Sequence, residues 1–188
     1  MKNNLTILSI ALILIAFCAI PNAVYSQAGS LDTTFDSDGI VTTPFGNNTD
    51  HVESISIQSD GKIVAVGTSH DNFKYVAALA RYNLNGSLDS TYDNDGKIIT
   101  SGGNYNYFLY ASAIQADNKI VVAGSYDYSP NKNFLVIRYN TNGSLDTTFD
   151  YDGKVKTPVG VVTDRGYSVA IQIDGKIVVA GESWGGIN

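Results

Sequence analysis

Cysteine is all but missing: the one thiol in 188 residues is Cys18. It lies inside an apolar leader, so the chain beyond the leader carries no disulfide and no thiol chemistry. Basic residues are also scarce, 12 Lys and Arg against 18 Asp and Glu, for a formal net charge of −6. An acidic chain repels phosphate backbones, which excludes nucleic acid as a partner class. Long apolar runs are lacking too. The longest, Leu5 to Ile20, is broken by Thr6 and Ser9 and is short for a span of roughly 20 residues. Lys2 precedes it, Pro21-Asn22 ends it, and Val24 and Ser26 follow. That is the layout of a secretory signal peptide over residues 1–26, cut near Ser26 or Ala28, with an uncleaved anchor as the alternative. A lipoprotein cysteine at Cys18 is disfavoured by the large Phe17 before it. The expected location is secreted or cell-surface, with no membrane span after cleavage. No Ser-His-Asp order, Gly-rich phosphate loop or zinc-ligand spacing is visible.

What the chain does have is a repeat. Gly29-Ser30-Leu31-Asp32-Thr33-Thr34-Phe35 returns as Gly86-Ser87-Leu88-Asp89-Ser90-Thr91-Tyr92 and as Gly143-Ser144-Leu145-Asp146-Thr147-Thr148-Phe149, at steps of 57 residues. Gly61-Lys62-Ile63-Val64-Ala65-Val66-Gly67 returns at Asn118 to Gly124 and Gly175 to Gly181, and Arg81-Tyr82-Asn83 as Arg138-Tyr139-Asn140. Self-similarity at one fixed period marks a solenoid, propeller or array. The units run over 29–85 and 86–142, with a partial third over 143–188.

Each unit holds four short apolar stretches with turn residues between them. The first covers Ile40 to Phe45, Lys97 to Gly102 and Lys154 to Val159. The second covers Val52 to Gln58, Leu109 to Gln115 and Gly166 to Gln172. The third covers Lys62 to Val66, and the fourth Tyr75 to Tyr82 and Lys132 to Tyr139. Their length and their Ile and Val content suit strands. Asp60-Gly61, Asp117-Asn118 and Asp174-Gly175 predict tight hairpins between the second and third stretches, with positive φ at both central residues. The third stretch is apolar on both faces, so a layer must cover each side. Together these features predict an all-β fold, an incomplete β-propeller of four-stranded antiparallel blades.

Gly-Ser-Leu-Asp-Thr-Thr-Phe, Asp-Gly-Lys-Ile-Val-Val-Ala-Gly and Arg-Tyr-Asn, in that combination, resemble the delta-60 repeat family. The resemblance covers Gly29 to Gly181. It implies a propeller-like array in secreted or surface proteins, many of them bacterial, and no particular activity. The family commonly has Phe-Gly where this chain has Phe35-Asp36, Tyr92-Asp93 and Phe149-Asp150. Two and two-thirds units do not close a ring of about four or more blades. The expectation is therefore an N-terminal fragment of a longer protein, whose missing chain supplies further blades, or else completion by self-association.

Three sets of residues invite a functional reading. Asp36 and Asp38, Asp93 and Asp95, and Asp150 and Asp152 form Asp-x-Asp-Gly loops that are weak candidates for calcium, a cation wanting six to eight oxygens. The EF-hand pattern is not met, and Asp and Gly are also ordinary turn residues. No other cofactor is expected. Second, a catalytic site should break the repeat's symmetry. His51 aligns with Phe108 and Arg165, Glu53 with Tyr110 and Tyr167, His70 with Asp127 and Trp184, and Glu182 with Thr68 and Ser125. His51 and Glu53 are read as solvated residues in the variable linker before strand two. Third, Arg81 and Arg138 each end a core stretch and need a carboxylate, with Asp89 and Asp146 the candidates. Tyrosines 105, 107, 110, 126 and 128 either pack between blades or meet a ligand. The expected function is a non-catalytic scaffold or binding module for an unknown protein or glycan. The alternatives are part of an extracellular enzyme acting on glycans and a calcium-stabilised surface array.

Overall fold

The computed structural model describes residues 29–46, 48–128 and 130–185. The leader reading of residues 1–26 lies outside them. Ten strands and no helix are present among the described residues. The first sheet is β1 (Asp50–Ile57), β2 (Ile63–His70), β3 (Tyr75–Tyr82) and β4 (Lys97–Thr100), in that order and antiparallel throughout. The second repeats it with β5 (Tyr107–Ile114), β6 (Ile120–Tyr128), β7 (Asn131–Tyr139) and β8 (Lys154–Thr157). The hairpin of β9 (Thr163–Ile171) and β10 (Ile177–Trp184) joins the second sheet through one parallel bridge between Lys132 and Thr163. The second sheet is thus six-stranded and mixed rather than a plain four-stranded blade.

A repeat period has no phase of its own; pairing supplies one. The first apolar stretch of a unit pairs with the fourth stretch of the unit before it: β4 adds to β3, and β8 to β7. Ile40 to Phe45, expected as a strand, is not one. The preceding unit's fourth stretch, with which it would pair, does not occur among the described residues. The registers agree in detail: Ile63 faces Tyr82, and 57 positions on Ile120 faces Tyr139.

The Asp-Gly turns also differ from expectation in one respect. Gly61, Asn118 and Gly175 have positive φ, but the aspartates before them do not. Gln58 O accepts from Gly61 N at 2.9 Å, and Gln58 N donates to Lys62 O at 2.9 Å. This is a type I turn followed by a left-handed residue, the three-residue hairpin loop, rather than a two-residue one. The aspartate caps the turn, since Asp60 Oδ1 accepts from Lys62 N at 3.2 Å.

The two sheets share one core. Val64, Val66, Leu79 and Ile98 of the first meet Leu109, Ile120, Val122, Leu135, Ile137 and Tyr139 of the second, and all are buried. Burying each such side chain contributes about 1.5–3 kcal/mol. Residues Ile120 to Ser125 of β6 are buried without a break, as an apolar stretch with two covered faces requires, while the matching part of β10 is half-exposed. Tyr139 donates its hydroxyl to Thr100 Oγ1 at 2.8 Å across this seam, and at the equivalent position Tyr82 donates to Thr43 Oγ1, ahead of β1, at 2.7 Å.

Candidate functional site

The three recurring blocks meet at one place. Asp89, from the Leu-Asp block, accepts Arg81 Nε at 2.8 Å and Lys62 Nζ at 2.8 Å on Oδ2. Its Oδ1 accepts the Thr91 hydroxyl at 2.7 Å and the Thr91 amide at 3.1 Å. The Arg81 guanidinium lies over the Tyr92 ring, 4.2 Å from its centroid. The second copy matches it: Asp146 takes Arg138 at 2.7 Å and Lys119 at 2.9 Å, and Arg138 covers Phe149. Burial works to raise the Asp89 pKa, but Lys62, Thr91 and Arg81 outweigh it and hold the carboxyl well below its ordinary range. The expected Arg–Asp pairing is therefore present, with a lysine that sequence reasoning missed. Lys62 and Lys119 recur with the period, but nothing in their spacing points at a residue 27 positions away. This clamp is architecture: every group in it serves the fold.

The acidic loops serve the fold as well. Asp38, Asp95 and Asp152 each cap the backbone amide two residues on, at 2.8, 2.9 and 2.9 Å. Asp36, Asp93 and Asp150 take left-handed φ of 47°, 50° and 48°. A left-handed backbone explains why glycine is the commoner residue there in the resembled family, and why aspartate, which tolerates that region, replaces it. The third aspartate of two loops, Asp89 or Asp146, is already held by Arg and Lys. No group of three His, Cys, Asp or Glu able to hold a metal forms among the described residues.

The chemistry that varies between units sits elsewhere. Strands β1, β5 and β9 each carry a β-bulge, between Val52 and Ser54, between Leu109 and Ala111, and facing the Ala180–Gly181 step. The extra residues are Glu53, Tyr110 and Tyr167. A bulge re-aims one side chain out of the alternation of its strand. Opposite each bulge stands Gly67, Gly124 or Gly181, where an added Cβ would strike the carbonyl of His51, Phe108 or Arg165. The bulge is thus built into every unit, while the residue it presents changes.

Two of these residues, Tyr110 and Tyr167, come together beside a charged pair of the third unit. Arg165 pairs with Glu182, and the Tyr167 hydroxyl donates to Glu182 Oε1 at 2.8 Å. The rings of Tyr110 and Tyr167 lie 5.2 Å apart, and Tyr167 is 48 % exposed. The hydrogen bonds from Tyr167 and Arg165 hold the Glu182 carboxyl below its usual range, and the bond to Glu182 pushes the Tyr167 phenol up. Together these groups present a charged, aromatic surface. His51 and Glu53 are exposed, and His51 lies within β1, facing Thr68, rather than in a linker. His70 packs edge-on to Tyr75, and Tyr75 packs against Phe108. Lys132 lies over Phe108 and pairs with Asp127. Of the tyrosines, Tyr107 is core, Tyr105 and Tyr126 pack against the core, and Tyr110 alone joins the bulge row. The side chain of Tyr128 lies outside what is described.

No curated protein matches the chain. A family model described as "Domain of unknown function (DUF5122) beta-propeller" matches residues 58–92 and again residues 115–149. Both segments run from the hairpin turn through two core strands to the aromatic residue beneath the clamp arginine, so the chain carries β-propeller-type repeats.

Proposed function

We propose that this chain is a non-catalytic, secreted or cell-surface β-propeller module of the delta-60 repeat type, built of four-stranded blades, whose bulge row presents a binding surface to a protein or glycan. The observation that carries this reading is the contrast between the constant bulge and the variable residue on it. Architecture accounts for the glycine, the clamp and the turns. It does not account for Glu53, Tyr110 and Tyr167 at one structural position. Paired tyrosine rings beside a charged pair suit stacking on a sugar face or contact with a protein surface.

The purified chain is passed over immobilised extracellular polysaccharides and proteins, and any ligand retained is recovered and weighed by mass spectrometry. Retention that falls at least about tenfold in Tyr110→Ala and Tyr167→Ala, with the ligand returned unaltered, supports the reading. A product that accumulates with time and disappears in Glu182→Gln would establish an enzyme instead.

A further inference from the structure

The seam between the two sheets is filled from both sides, and β5, β6 and β7 all contribute to its second wall. Leu135, Ile137 and Tyr139 of β7 are buried there in one cluster with Leu79, Tyr92 and Ile98. The far face of the second sheet carries the same positions one unit later: Val136 for Leu79, Phe149 for Tyr92 and Val155 for Ile98. These line a groove of about 610 Å³ whose other wall is Ile177 and Val179 of β10. Those two stand where Ile120 and Val122 stand in the seam. Counterparts of Leu135, Ile137 and Tyr139 do not occur among the described residues.

Two polar groups of the groove match partners that are satisfied in the seam. Thr100 accepts the Tyr139 hydroxyl, and its equivalent Thr157 lines the groove. Arg81 Nη1 donates to the Thr141 carbonyl at 2.8 Å; Arg138, its equivalent, also lines the groove, and no such carbonyl meets it among the described residues. The Arg81 side chain is 6 % exposed and that of Arg138 18 %. β10 is the end strand of its sheet, and an end strand offers a ladder of backbone groups to another strand.

We propose that the groove and the edge of β10 form a docking site for one β-strand of the repeat's own chemistry, carrying apolar residues at alternate positions as β7 does and running into Arg-Tyr-Asn as the chain does at the ends of β3 and β7. The strand adds antiparallel to β10 as β7 adds to β6. In that register its tyrosine faces Ile177 and the apolar residue two positions earlier faces Val179, by analogy with Ile120–Tyr139 and Val122–Ile137. Its tyrosine hydroxyl meets Thr157, and the carbonyl two residues beyond meets Arg138. A hydroxyl and a carbonyl at that separation select this strand over an unspecific apolar peptide. The β3 and β7 of a second copy are interior strands of their own sheets, which disfavours a second copy as donor. The inference does not depend on what the bulge row binds.

The probe is a synthetic peptide with the sequence of residues 131–142, added to the purified chain. The expected result is saturable one-to-one binding that slows amide exchange over Ile177 to Gly181 at least roughly tenfold. A peptide carrying Tyr139→Phe binds about fivefold more weakly. Thr157→Val in the chain costs the natural peptide the same factor and costs the phenylalanine peptide nothing further. The same segment fused after Asn188 through a flexible linker raises the melting temperature, and Tyr139→Phe within the fused segment reverses part of the rise. Equal binding of a scrambled peptide overturns the proposal in favour of a general apolar surface. A concentration-dependent dimer that Val179→Lys dissociates, with no peptide binding, overturns it in favour of a second copy. Absence of binding together with no gain on fusion overturns it outright.

Discussion

β3 and β7 are the same strand written twice, and they are buried differently. From Val76 to Tyr82 every residue of β3 is buried, whereas β7 alternates, with Leu135, Ile137 and Tyr139 buried and Phe134, Val136 and Arg138 only partly covered. Their sequences do not account for this, since Phe134 is larger and more apolar than its counterpart Ala77. Their neighbours do. β3 has Val41, Thr43 and Phe45 near one face and the second sheet on the other. β7 has the first sheet on one face and an open groove on the other. In a repeat array the energy of a residue belongs to the interface it enters, so equivalent positions differ in worth.

The largest test of that contrast is Leu79→Ala against Val136→Ala. Leu79 is fully buried in the seam, so its truncation costs about 3–5 kcal/mol in urea unfolding, cavity included. Val136→Ala removes less buried surface at the groove and costs below about 1 kcal/mol. Equal costs would show that the groove is as well packed as the seam.

Next comes the clamp. Asp89→Asn leaves Arg81 and Lys62 without their carboxylate and costs about 2–3 kcal/mol; Asp146→Asn costs less, because Arg138 is better hydrated. Both carboxyls sit below their ordinary pKa in the fold, so the unfolded chain takes up protons first as the pH falls. Their stabilisation is complete above the unfolded carboxylate range near pH 4 and is lost as pH drops below it toward the native values. Melting temperatures taken down the acid limb should fall more gently in Asp89→Asn than in the natural chain.

A smaller effect is expected across the seam. Tyr139→Phe removes the hydroxyl bond to buried Thr100 and costs about 1 kcal/mol. The smallest has the opposite sign. The Tyr92 hydroxyl is buried with no hydrogen-bond partner, and burial pushes its pKa far up. Tyr92→Phe should therefore stabilise by about 0.5–1 kcal/mol, while Phe149→Tyr, beside the open groove, should be close to neutral. A loss of stability in Tyr92→Phe would mean that the hydroxyl does have a partner.

Much of this is legible in the sequence alone. The Arg81–Asp89 pair followed from a charge placed beside an apolar strand, and the hairpins from Asp-Gly and Asp-Asn. The turn geometry was misjudged, because the same dipeptide fits a two-residue loop and a type I turn with a left-handed close, and only the Gln58–Lys62 pairing separates them. The bulge row was half-visible. Glu53, Tyr110 and Tyr167 stood out as aligned and unlike, but a bulge leaves no mark in a strand's own composition; the glycine opposite it, at 67, 124 and 181, was the available signal.

By itself the sequence determined the period, the ten strands' apolar stretches, the positions of the hairpins and the Arg–Asp partners of the clamp, all of which depend on side-chain type and on spacings short along the chain. The tertiary structure alone decided the phase of the sheets, the gathering of Arg165, Tyr167, Glu182 and Tyr110, and the difference between a filled seam and an open groove. Those depend on contacts between units, which a repeated sequence writes identically at each copy and only packing can tell apart.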